Sequence, residues 1–140
     1  MLITRWIDYG VRIMLTLALE PDRLLNANEI AKACGITRPA TLRLIRQLAM
    51  AKLVETRRGP GGGVKLGRKV SEVTFKDIIE ATDSRRAVNP CLVEEHFCGR
   101  EASCAVHRLL EPLQKHVDDF FAEVTLDQIV DEQRKMLHDK

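Results

Sequence analysis

Three of the four cysteines in the chain fall in one short stretch, at Cys91, Cys98 and Cys104. The gaps between them, six residues and then five, are too wide for the CxxC clamps of most structural zinc modules. Their neighbours Glu94, Glu95, Arg100, Glu101 and Ser103 are too polar for a buried core. Soft thiolates on a loop suit a soft metal or an iron–sulfur cluster, which spreads its ligands over a wider footprint than one zinc ion. Asn89-Pro90 before the stretch and Gly99 inside it argue against a helix there. The expected feature is a metal- or cluster-binding loop. Cys34 stands far from the trio and reads as a small buried hydrophobe.

The rest of the 140 residues must position that loop. A hydrophobic fraction of 45% excludes a disordered chain, and the length allows one domain with an appendage or a domain that pairs with its own copy. No apolar run is long enough to cross a membrane, and the N-terminus lacks a signal-peptide pattern. The expected location is therefore the cytoplasm, where thiols serve as ligands or redox sensors more often than as disulfides. The net charge of +2 hides an asymmetry. Residues 1–80 carry 14 Lys and Arg against 8 Asp and Glu, while residues 81–140 carry 8 against 12. Within 38–69 nine residues are basic and only Glu55 is acidic, a concentration that points to a polyanionic partner.

Thr4 can cap a first helix running to about Glu20, apolar on more than one face, with Asp8 and Arg12 spaced for an ion pair. A second short helix starts near Asn26 or Asn28, turns Ile30, Ala31 and Ala33 inward, and stops at Cys34-Gly35. Thr37 and Pro39 open a third helix over roughly 38–50. Burial of Leu42, Ile45, Leu48 and Ala49 would leave Arg38, Thr41, Arg43, Arg46 and Gln47 facing outward. Two helices joined by a tight turn, the second rich in arginine, form a helix-turn-helix pattern. The strands expected at 53–57 and 64–66 flank Arg58-Gly59-Pro60-Gly61-Gly62-Gly63, a hairpin that reads as a wing. Lacking Gly-Lys-Ser/Thr and a following helix, it is no nucleotide loop. Gly61 and Gly62 give the tip backbone clearance near phosphates, and Arg57, Arg58, Lys65, Arg68 and Lys69 supply charge.

After a helix capped by Thr74 and a connector over 83–90, the cysteine loop leads into a long helix. Val106, Leu110, Leu113, Val117, Phe120 and Val124 recur along it at coiled-coil spacing, the mark of a pairing helix. Thr125 and Gln128 form a capping box for a final short helix, and the tail from about Glu132 is expected to fray. The expected fold is mainly α with a small β-hairpin wing. The winged helix-turn-helix occupies 1–82, the cysteine loop 83–107, and the dimerisation helix with the last short helix 108–140. On double-stranded DNA, Arg43 and Arg46 are candidates for guanine edges and Thr41 and Gln47 for other base edges. Arg38, Arg58 and Lys65 are placed to hold phosphates.

In this order of elements the chain resembles the Rrf-type family of bacterial winged-helix transcriptional regulators, which includes the iron–sulfur regulators IscR, NsrR and RirA. The resemblance runs from Ile7-Asp8-Tyr9-Gly10-Val11-Arg12 to Leu126-Asp127-Gln128-Ile129 and rests on the wing together with the cysteine trio. It implies a cytoplasmic homodimer on a roughly palindromic operator, carrying one [2Fe–2S] or [4Fe–4S] cluster per subunit. Cys91, Cys98 and Cys104 match the cluster cysteines, with a first gap one residue longer than in IscR-like members. The fourth ligand is His107, as in the IscR-like pattern, or Asp8 from the partner subunit, as in the NsrR-like one. Repression or activation depends on where the operator lies. A zinc-stabilised module and a cluster-free regulator sensing through thiols or a partner remain as alternatives. An enzyme is not expected, because neither CxxC nor a catalytic constellation is present.

Overall fold

The structure is a computed structural model that describes residues 2–84 and 87–139. Residues 85 and 86 of the expected connector lie outside the described residues. Helices begin wherever a side chain can accept from the orphan N–H groups of a first turn. Thr4 accepts from Ile7 N at 3.3 Å and starts α1 (Arg5–Leu19). Asn26 accepts from Glu29 N at 3.0 Å while Glu29 accepts from Asn26 N at 2.8 Å, a reciprocal box that starts α2 (Ala27–Cys34). The left-handed Gly35 ends α2, and Thr37 caps α3 (Arg38–Met50).

β1 (Val54–Arg57) and β2 (Gly63–Leu66) pair antiparallel, with Val54 opposite Leu66 and Arg57 opposite Gly63. The wing does not swing free. Leu25 N donates to Val64 O at 3.0 Å and Val64 N to Leu25 O at 2.8 Å, which stitches β2 to the segment before α2. At the tip, Gly62 N donates to Gly59 O at 3.0 Å, and a Cβ on Gly62 would lie 2.2 Å from the Arg57 carbonyl oxygen. Glycine there is required by the wing's own turn, whatever it later approaches.

α4 (Phe75–Thr82), α5 (Ala105–Glu123) and α6 (Leu126–His138) complete the order. One core joins Ile13, Met14 and Leu17 of α1 to Ile30, Leu44, Leu48, Val54, Val64 and Ile78, and also to Leu126 and Val130 of α6. A smaller cluster of Ile7, Ile79 and Phe121 seats α5 on α1 and α4, where Phe75 and Phe121 meet edge to face at 5.0 Å.

Three expectations need correction. α6 extends to His138 instead of fraying from Glu132, and its Leu126 is fully buried in the core of the N-terminal head. Leu126 N donates to Val73 O at 2.8 Å and Phe75 N to Val124 O at 2.7 Å, so a boundary at 108 cuts across one core. In α2 the inward residue is Cys34, not Ala33. In α3 the buried residues are Thr41, Leu44, Ile45 and Leu48, so Thr41 turns inward and Leu42 outward. Burying Thr41 is inexpensive because its hydroxyl donates to Thr37 O at 3.0 Å within the helix.

α1 and α4 approach most closely at Gly10, where an added Cβ would fall 2.5 Å from Thr82 Cγ2. The Thr82 hydroxyl donates to Ile78 O at 2.9 Å, so that side chain cannot turn away freely. Alanine in place of a helical glycine gains about 0.5–1 kcal/mol in propensity, whereas overpacking costs about 1–3 kcal/mol. Gly10→Ala should therefore lower unfolding free energy in urea, and an increase would show that the α1–α4 contact is loose.

Candidate nucleic-acid interface and cysteine loop

The outward face of α3 carries Arg38, Leu42 and Arg46 at successive turns. Arg43 lies beside this face, its guanidinium 4.9 Å from the centre of the Trp6 ring. Trp6 Nε1 donates to Gln47 Oε1 at 2.9 Å, and Gln47 Nε2 donates to the Thr82 carbonyl at 3.3 Å. Both ends of the Gln47 amide are thus engaged inside the molecule, joining α1, α3 and the end of α4. Thr41 is 0% exposed and does not reach the surface assigned to it from sequence. On the wing, Arg57 and Arg58 are exposed and line an open cleft of about 520 Å³ with Leu24, Glu55, Thr56 and Lys65. Lys65 pairs with Glu55 across the hairpin at 3.2 Å. An exposed pair of this kind is worth about 0–1 kcal/mol and yields readily to a competing anion.

Cys91 sits in a 3-10 turn (Pro90–Leu92), where its N–H donates to Asn89 Oδ1 at 3.5 Å. Cys98 is exposed, and its N–H donates to Glu101 Oε1 at 3.2 Å. Cys104 is the N-cap of α5, its Sγ accepting from His107 N at 3.5 Å. Partial burial pushes the Cys91 thiol up from its ordinary value, and negative charge at Cys104, Glu101 and Cys98 adds to the shift. Among the described residues, no three Cys, His, Asp or Glu side chains stand close enough to hold one metal ion.

The His107 side chain is 18% exposed. Its Nε2 lies 3.4 Å from Glu111 Oε1, while its buried Nδ1 has no hydrogen-bond partner among the described residues. A carboxylate at one ring nitrogen favours the proton there and leaves the other as the lone-pair donor that metals require. Asp8 pairs with Arg12 at 2.7 Å, as the i,i+4 spacing anticipates. Cys34 is buried as expected, 3.4 Å from Thr16 Oγ1, and burial raises its thiol.

Gln114 was not anticipated. It is buried on α5, where Oε1 accepts from Val88 N at 2.7 Å and Nε2 donates to Asp118 Oδ1 at 3.2 Å, tying the connector to the helix. The available signal was a polar residue beside the stripe members Leu113 and Val117. Of the stripe, Val106, Leu113 and Phe120 are exposed, as is Leu109, while Leu110, Val117 and Val124 are half-buried.

A helix-turn-helix followed by a stitched β-hairpin defines a winged-helix DNA-binding protein. The Rrf2 family, described as iron-dependent transcriptional regulators, matches residues 3–132, and the chain belongs to it. A protein of Aquifex aeolicus (strain VF5) assigned as an HTH-type transcriptional regulator is 31% identical over 139 residues, 98% of this chain and 96% of its own. The structure of T. potens IscR matches with a TM-score of 0.76 at 22% identity, over 94% of this chain and 87% of that one. That of CymR (YrzC), the global cysteine regulator of B. subtilis, matches with a TM-score of 0.74 at 24% identity, over 93% and 96%. At these identities the two structures establish the fold alone. Among the described residues no helix is long and apolar enough to cross a membrane.

If Gln47 is an internal brace, Gln47→Ala leaves the Trp6 indole N–H and the Thr82 carbonyl unpaired. Partly buried groups of this sort cost about 1 kcal/mol each at the low end of the range. A fall of that order in urea unfolding free energy is expected without DNA present. Unchanged stability would mean that Gln47 is free to read bases.

Proposed function

We propose that this regulator works as a cytoplasmic homodimer on a roughly palindromic operator, its affinity set by a [2Fe–2S] or [4Fe–4S] cluster on Cys91, Cys98, Cys104 and His107. The observation that carries the reading is the orphaned, buried Nδ1 of His107, one helical turn from the Cys104 cap. With it stand Cys91, Cys98 and Cys104, on the stretch that leads into α5. Three soft sulfurs and one imidazole are the donor types a cluster takes, and the six- and five-residue gaps between the cysteines suit a multi-iron group better than a single ion. Asp8 is the second choice for fourth ligand, since Arg12 already engages its carboxylate. When bound, such a cluster supplies an iron centre whose exchangeable nitrogen ligand is open to nitric oxide or oxygen.

The chain's own residues provide the route from loop to reading head. Cys104 opens α5, and Gln114 on the same helix holds the connector through Val88. Phe121 of α5 packs on Phe75 of α4, and the last turn of α4 offers the Thr82 carbonyl to Gln47 beside Arg43 and Trp6. Ordering of the loop would bias this chain of contacts and so the tilt of α3, with a typical coupling of about 1–3 kcal/mol. In the DNA-bound state Arg38, Arg58 and Lys65 hold phosphates, while Arg43 and Arg46 approach guanine edges, Arg43 after leaving Trp6. Val106, Leu109, Leu113 and Phe120 present an apolar strip along α5 that suits a second copy of the chain.

Two outcomes test this reading. Protein purified without air should be coloured and contain iron and sulfide, and Cys98→Ala should lose both along with about 5–150-fold of the difference in operator affinity. Colourless protein with stoichiometric zinc, or equal affinity of both forms for every operator, would remove the cluster switch. Separately, Phe120→Glu should convert a dimer to a monomer in sedimentation at micromolar concentration. A variant that sediments as a dimer would place the pairing surface elsewhere.

A further inference from the structure

The outward turn of Leu42 is unexplained by the fold. We infer that Leu42 is a specificity-determining residue that reads the C5-methyl group of a thymine in the operator's major groove. This rests on the DNA-binding reading above and goes further, naming a base class and the side chain that selects it.

A lone exposed leucine on a protein surface carries no meaning by itself. Three features set this one apart. Leu42 is 42% exposed, in the second turn of the helix that follows the tight turn, where helix-turn-helix proteins meet base edges. Arg38 and Arg46, both exposed, lie one turn before and one turn after it on the same face. The neighbouring Thr41 is buried and Gln47 is engaged at both ends, so neither competes for the same bases. What faces outward is an aliphatic side chain with an arginine one turn to either side, Arg38 assigned above to a phosphate and Arg46 to a guanine edge. Arginine matches the O6 and N7 acceptors of guanine, and an aliphatic side chain matches the one apolar feature in the major groove, the thymine methyl. Leu42 is too short and apolar to satisfy a phosphate, and water would otherwise cover it at the centre of a basic face. Burial against a methyl group removes that exposure on binding.

The test starts by selecting operators from random DNA with the full-length protein, in iron-loaded and metal-free form. Each thymine of the recovered half-site is then replaced by deoxyuridine, which deletes the C5-methyl and leaves pairing intact. One such replacement per half-site should weaken the wild-type protein by about fourfold, the worth of one buried methyl-sized group. Leu42→Ala should bind thymine and uracil operators equally, Leu42→Met should regain the preference, and Arg46→Ala should bind both operators more weakly while keeping the ratio between them. The exposure of Leu42 predicts unchanged thermal melting for these variants. Indifference of the wild type to every replacement, or a preference that survives in Leu42→Ala, would overturn the inference while leaving DNA binding intact. Failure to recover any operator from either form would overturn the DNA-binding reading, and this inference with it.

Discussion

The burial of α1 is the constraint on which the rest depends. Ile7, Ile13, Met14 and Leu17 are shielded from water on one helix, packed toward α2, α3, α4 and α6 in turn. Each such side chain is worth about 1.5–3 kcal/mol when removed from solvent. A helix apolar over so much of its circumference cannot lie on a surface; it must be surrounded. The helix-turn-helix packs on one flank, and α4 and α6 on the others. Gly10 lets α4 come close enough for the Thr82 carbonyl to accept from Gln47, and that contact fixes α3 against α4.

Polar groups then decide which side chains are free. The amide of Gln47 and the ring of Trp6 engage groups that an outline of the helix would assign to DNA. Gln114 does the same for the connector, since a buried amide must find partners and Val88 N and Asp118 supply them. His107 is the counterexample. Its Nε2 lies beside Glu111, while its buried Nδ1 finds no hydrogen-bond partner among the described residues. These local terms are small beside the hydrophobic total, but they decide which side chains stay engaged inside the molecule.

The wing and the C-terminal helix show how separate parts are held in register. Leu25 and Val64 exchange two backbone hydrogen bonds, so the hairpin moves with the helix-turn-helix. Val73 and Val124 accept from the backbone on either side of the α4–α6 junction, so the apolar strip on α5 leaves the head at a fixed angle. A long helix anchored at its C-terminal end by Phe121 and beginning at Cys104 joins the cysteine loop mechanically to the DNA-binding head.

Local features were legible in the chain because they arise from neighbours in sequence. Thr4, Asn26, Thr37 and Thr74 cap helices within four residues of themselves, and the glycine-rich tip closes on its own strands. The Asp8–Arg12 pair was readable for the same reason. The phase of α3 was not. Leu42, Ile45, Leu48 and Ala49 make as good an apolar face as Thr41, Leu44, Ile45 and Leu48, and only packing against α1, α2 and α4 selects between them. The place of α6 was equally hidden, because Leu126 and Val130 join a core whose other members come from α1 through α4, far back along the chain. Sequence alone determined which segments fold and how each helix begins; tertiary packing decided which face of each segment meets water, because burial depends on what arrives from elsewhere.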